Sequence, residues 1–136
     1  MTGLHLPVEL DITVAWGEQD LFGHLNNVVF FRYCENVRMH FLDRTGLLDL
    51  HRDKRIGVIL ASTTCHFRKP VKWPQRIKVR TGCTAMGNTS FTLTYVLTDE
   101  SGDVVAEATS VQVVYNYISA SKERIPDEVR AAIAAL

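Results

Sequence analysis

Leu10, Ile12, Val14 and Trp16 alternate with Asp11, Thr13 and Ala15. Period two predicts a strand with one buried face. Residues 17–25 carry two glycines and little periodicity, which predicts a loop. Asn26 or Asn27 can cap a helix, because a side-chain oxygen accepts from an otherwise orphaned amide. A helix is predicted from about residue 28 to 45. Phe30, Tyr33, Cys34, Val37 and Phe41 share one face of it, and Arg32, Glu35, Asn36 and Asp43 the opposite one. Val29, Phe31 and Leu42 widen the apolar surface, so a sheet should cradle this helix. Gly46 is placed to end it.

Residues 47–54 read as a loop or a short helical turn. Residues 56–67 read as a second strand, stopped by Pro70 and Pro74. Ile77, Val79, Thr81, Cys83 and Ala85 mark a third strand. Gly87-Asn88 signals a hairpin into a fourth, carried by Phe91, Leu93, Tyr95 and Leu97. Ser101-Gly102-Asp103 is the next turn, and residues 104–117 make a fifth strand long enough to bend. Beyond Pro126, Val129, Ala132, Ile133 and Leu136 predict a short amphipathic helix. One long helix with about five mostly antiparallel strands is an α+β layout. One helix cannot cover both sheet faces, so another copy of the chain is expected to bury an edge or the other face.

Composition narrows this picture. The 136 residues fit one domain spanning 1–136. A formal net charge of zero argues against general attraction to nucleic acid or an anionic membrane. The three cysteines, Cys34, Cys65 and Cys83, form no C-x-x-C, which argues against a disulfide framework or a structural zinc site. The histidines lack a ligand spacing, so no metal is expected. The first residues lack the pattern of a signal peptide, and the longest run of large apolar residues, 28–31, is far too short to cross a bilayer. The expected compartment is the cytoplasm.

The richest chemistry lies at Asp20-Leu21-Phe22-Gly23-His24-Leu25-Asn26-Asn27. A carboxylate, a flexible glycine, an imidazole and two amides precede a helix N-terminus. That terminus offers free N–H groups and partial positive charge. Such donors can hold a carbonyl oxygen as it gains charge under attack, each contributing about 3 kcal/mol in the transition state. An ordinary Asp is ionised at neutral pH and suits a base or a nucleophile. It is a weak base, adequate for an electrophilic thioester carbonyl. The same residues are also common caps and turn formers. Read chemically, they point to acyl transfer to water.

Asp20-x-x-Gly23-His24-x-Asn26-Asn27, followed by Phe30, Glu35 and Arg38, resembles the signature of the 4-hydroxybenzoyl-CoA thioesterase-like family of hotdog proteins. The order of elements matches from Leu10 to about Pro126. The resemblance implies a hotdog fold, with one long helix wrapped by a curved antiparallel sheet. It implies a homodimer joined edge to edge, often paired into a tetramer, with active sites at the dimer interface. It implies an acyl-CoA thioesterase with no cofactor beyond the coenzyme A of the substrate. By match of position, Asp20 is the catalytic carboxylate, and the Asn27 backbone N–H polarises the thioester carbonyl. Gly23 permits close backbone approach, and His24 and Asn26 shape the loop and touch substrate. Phe30 stands where a Tyr is frequent, and Glu18 and Gln19 where relatives often carry Asp and Thr.

Thr63, Thr64 and His66 lie on the strand the family sets beside the substrate, with Thr64 and His66 as candidate lining. His66 equally suits a structural histidine. Arg68, Lys69 and Lys72 flank prolines and are candidate partners for the phosphates of coenzyme A. Arg76, Lys78 and Arg80 alternate with apolar residues and read as a solvated strand face. Trp73 can stack on an adenine or on Pro74, and Cys34 reads as inert core. The rival functions are a non-catalytic acyl-CoA binder, a thioesterase acting on an acyl-carrier protein, and a dehydratase using His24 with Glu35.

Overall fold

A computed structural model describes residues 3–136. The elements are β1 (Val8–Thr13), a 3-10 turn (Trp16–Glu18), α1 (Asn27–Arg44), α2 (Leu47–Lys54), β2 (Ile56–Phe67), β3 (Arg76–Met86), β4 (Ser90–Thr98), β5 (Val104–Asn116), β6 (Ser121–Lys122) and α3 (Asp127–Ala134). The five long strands form one antiparallel sheet in the order β1-β3-β4-β5-β2, and β6 adds to β5. The α+β hotdog arrangement expected from the sequence is present.

The period-two and helical patterns decide which side of each element is dry. Phe30, Tyr33, Cys34, Val37 and Phe41 of α1 are buried, while Arg32, Glu35, Asn36 and Asp43 stay exposed. They pack on Ile77 and Val79 of β3, Phe91, Leu93, Tyr95 and Leu97 of β4, and Ala106, Ala108 and Val114 of β5. Burial of a side chain such as Phe41 stabilises the fold by roughly 1.5–3 kcal/mol. Thr45 ends α1, its hydroxyl bonding back to the Phe41 carbonyl at 2.9 Å. Gly46 follows at φ 82°, in the left-handed region that favours glycine.

One expectation needs correction. Trp16 does not extend β1. The strand stops at Thr13, and Trp16 opens the 3-10 turn with its ring largely exposed. Residues 47–54 take the helical alternative, as a short helix of 8 residues. Beside the five expected strands lies a short sixth, because Asn116 accepts from the amides of Ile118 and Ser119 and turns the chain back into β6. Among the described residues, no helix is long and apolar enough to cross a membrane.

Strand β2 lies at the sheet edge and, among the described residues, pairs only with β5. Its ladder slips between Leu60 and Ser62, leaving Ala61 as an extra residue. Thr63, Cys65 and Phe67 share the helix face with Leu60 and Val58, despite the change of parity. At the opposite end of the sheet, residues 5–7 cross directly over Gly82. A Cβ there would run into the His5 carbonyl oxygen and sit 2.9 Å from Pro7 Cδ. Gly82→Ala should therefore displace that segment and cost about 1–3 kcal/mol, as overpacking does. Thermal melts should show a Tm lower by several degrees, whereas Gly17→Ala, with open space around it, should leave Tm within about a degree or two.

Candidate active site

The loop between the 3-10 turn and α1 is pinned at both ends. Glu18 Oε1 accepts from the Ala15 amide at 2.7 Å and from the Tyr33 hydroxyl at 2.7 Å. The Glu18 carbonyl accepts the Asn26 amide at 3.0 Å. Tyr33 is buried on α1, so this one glutamate ties the loop's start, its end and the helix together. Burial, then the bond and charge of Glu18, push the Tyr33 phenol well above its ordinary value. Gln19 bridges to Leu25, and the Leu25 amide bonds the Val71 carbonyl at 2.7 Å.

Inside this frame the loop turns on Asp20. Its Oδ1 accepts from the Phe22 amide at 2.8 Å and the His24 amide at 3.4 Å. Its own amide bonds the His24 carbonyl at 2.8 Å, and its carbonyl accepts from Gly23. Gly23 sits at φ 77°, which explains a glycine at that point. Oδ1 is thus held by the loop, while Oδ2 has no hydrogen bond among the described residues. Asn26 is the N-cap of α1, its Oδ1 accepting from the Val28 amide at 3.0 Å. The Asn27 amide, the first of the helix, has no acceptor among the described residues.

These groups meet at a cavity of about 270 Å³. Asp20, His24, Asn27 and Phe30 line one side. Phe67, Arg68, Lys69 and Pro70 line the other, and Leu25 completes the lining. Phe67 meets the ring of Phe30 edge-on at 5.1 Å and Phe31 at 6.3 Å. The cavity is therefore polar where the helix begins and aromatic where α1 meets β2. A trigonal carbonyl placed there can face an amide donor and a carboxylate oxygen together.

Not every expected residue joins this group. Gly23 and Asn26 shape the loop and cap the helix without lining the cavity. Thr64 and His66 pair with Thr109 and Glu107 on the sheet face turned away from α1. Their neighbours Cys65 and Phe67 take the inner face, so neither lines the cavity of its own chain. Lys72 also lies off it. Lys69 reaches the rim, but its ammonium is held by Asp99 at 2.7 Å and Asp103 at 2.8 Å. Arg68 pairs with Glu107 at 3.0 Å. Phe67 and the Glu18–Tyr33 bond were not singled out from the sequence. The alternation of Cys65 and Phe67 with Thr64 and His66 at the end of the strand is the signal for the first.

Cys34 and Cys65 face each other between α1 and β2. Burial pushes Cys34 up to about 12, with Cys65 adding to the rise and Arg38 opposing it, and burial pushes Cys65 up to about 11. At about 11 a thiol holds roughly 100-fold less thiolate at neutral pH than an ordinary one. Alkylation by iodoacetamide at pH 8, followed by peptide mass spectrometry, should be at least about 100-fold slower at both cysteines in the folded protein than in denaturant.

A family model described as the thioesterase-like superfamily matches residues 14–133. The Bacillus subtilis protein YsmA is 29% identical over 85 residues, which are 62% of this chain and 56% of that protein, so the chain spans little more than half of that relative. The PA5185 protein of Pseudomonas aeruginosa is 28% identical, with a TM-score of 0.84 over 96% of this chain and 92% of that one. The BH1999 gentisyl-coenzyme A thioesterase is 25% identical, with a TM-score of 0.81 over 92% of this chain and 98% of that one.

Proposed function

Because this chain belongs to the thioesterase-like superfamily, we propose that it hydrolyses an acyl-CoA to a free acid and coenzyme A at the cavity beside Asp20. The observation that carries this reading is the pairing of an unengaged carboxylate oxygen, Asp20 Oδ2, with an unengaged helix-start amide, that of Asn27, at one cavity. The gentisyl-coenzyme A thioesterase likeness supports a coenzyme A ester as the substrate.

The thioester carbonyl oxygen points at the Asn27 N–H, where the helix start stabilises its growing charge. Asp20 acts in one of two ways. As a base, it takes a proton from water as the water oxygen bonds to the carbonyl carbon. As a nucleophile, its oxygen bonds to that carbon and a second attack by water cleaves the mixed anhydride. In both routes the C–S bond breaks and the thiolate of coenzyme A leaves, to be protonated from solvent. The two amides on Oδ1 hold the carboxylate in place, so little reorganisation accompanies the attack. Phe30 and Phe67 pack the acyl side of the ester, and His24 borders the sulfur.

The phosphates of coenzyme A extend over the rim segment of Arg68, Lys69 and Lys72. Lys69 is already matched by two aspartates and Arg68 by Glu107, which leaves Lys72 the larger share. The protein works as a homodimer through the open edge of β2, with pairing into tetramers across the outer sheet face, in the cytoplasm.

The test is hydrolysis of a panel of acyl-CoAs, short, long and aromatic, with thiol release followed colourimetrically. At least one member should turn over, and Asp20→Asn should reduce that rate at least ~100-fold, the scale of a positioned catalytic group. No turnover of any member by a folded protein that still binds acyl-CoA would overturn the reading. It would leave a carrier-protein substrate or a binding role.

A further inference from the structure

Arg38 is only 9% exposed, yet no carboxylate of its own chain reaches it among the described residues. Its Nη1 donates to the Tyr95 hydroxyl at 3.2 Å. A guanidinium can only donate, so the direction of the following bonds is fixed. Tyr95 donates its proton to Ser110 Oγ at 2.6 Å, Ser110 donates to Gln112 Oε1, and Gln112 Nε2 donates to the Phe91 carbonyl at 3.1 Å. All four are neutral groups. They hold the cation in one orientation without balancing its charge, and an unpaired buried charge is costly.

The guanidinium borders a cleft of about 220 Å³ between α1 and β2, lined by Val28, Phe31, Glu35, Leu60 and Thr63 besides the arginines. Glu35 stands one turn before Arg38 and, among the described residues, bonds only Arg32, at 3.5 Å on an exposed surface. Val28 and Leu60 are exposed, and the β2 backbone beside them has an open edge. The cleft thus presents an apolar rim, one acid without a buried partner and one buried base without an acid.

We infer that a second copy of this chain closes the cleft, with Glu35 of each protomer seated on Arg38 of the other. This rests on the β2-edge dimer proposed above and adds the residues that lock it. A two-fold interface must be self-complementary, so a contact from 35 to 38 recurs from 38 to 35. Glu35 and Arg38 lie one turn apart on the stripe of α1 that borders β2. The Ala61 bulge lies near the centre of β2. A two-fold axis passing between positions 35 and 38 lets both contacts form at once. Charge complementarity favours a second copy over an apolar partner, which would leave Arg38 unbalanced.

The experiment uses the full chain in sedimentation equilibrium. Wild type should be a dimer. Glu35→Gln alters only an exposed side chain and should keep the fold by circular dichroism, yet weaken self-association roughly 100-fold, the scale of unpairing a buried cation. Glu35→Lys and Arg38→Glu should each be monomeric alone. Mixed, they should form a heterodimer. The lysine introduced at position 35 then meets the glutamate introduced at position 38, while the native Glu35 of one variant meets the native Arg38 of the other. An intact dimer for Glu35→Gln overturns the pairing, and so does failure of two folded variants to associate on mixing. Should Arg38→Glu fail to fold, the Glu35→Gln result decides alone. A monomeric wild type overturns the underlying dimer instead, which separates the two failures.

Discussion

The first turn of an α-helix has amide donors that no residue within the helix can accept, and the arrangement around α1 follows from that fact. One donor is closed by the Asn26 side chain, and the turn before it is held by the Glu18 carbonyl. The Asn27 amide is left facing a cavity that has Asp20 on its other side. Keeping a donor open at the end of a buried helix requires a rigid surround, since a mobile loop would fold over and satisfy it. Glu18 bonded to Tyr33, Leu25 bonded to Val71 and the double bond to Asp20 Oδ1 supply that rigidity. Site and fold therefore share their fixtures, and the helix packed most tightly into the sheet is also the one that presents the donor.

Much of this was legible in the chain itself. The alternation at Leu10 and Ile12 and the helical spacing of Phe30, Tyr33, Val37 and Phe41 are local signals of burial, and they read out correctly because one face of each element is dry. The Asp20-to-Asn27 spacing was equally readable, since turn, cap and helix start are all local. What escaped depends on partners distant in sequence. Lys69 looked like a free cation among prolines, but Asp99 and Asp103 lie about thirty residues on and come beside it only when β5 pairs with β2. Trp16 continued an apolar rhythm, yet the Glu18 side chain bonded to the Ala15 amide bends the chain there.

Thr64 and His66 show a different limit. Their position on β2 is the expected one, but strand residues have two faces and the choice between them is set by register. Cys65 and Phe67 are apolar and turn inward, which sends their neighbours outward beside Thr109 and Glu107. Polar residues on a strand next to a site are thus as apt to decorate the opposite surface as to line it. The same parity places His66 beside Glu107, which also accepts the Arg68 guanidinium.

The bulge at Ala61 carries an implication for how such chains diverge. Its single extra residue changes the phase of β2, so that both the even positions before it and the odd positions after it face the helix. Loss of Ala61 would leave Leu60 and Ser62 opposite the consecutive residues Gln112 and Val111, so a regular strand would still turn Val58, Leu60, Thr63, Cys65 and Phe67 toward the helix. A one-residue difference in length is therefore tolerated at this point, whereas one elsewhere in β2 would turn over one end of the strand, and an alignment that draws a gap in β2 away from position 61 is better read as an error of alignment than as a deletion.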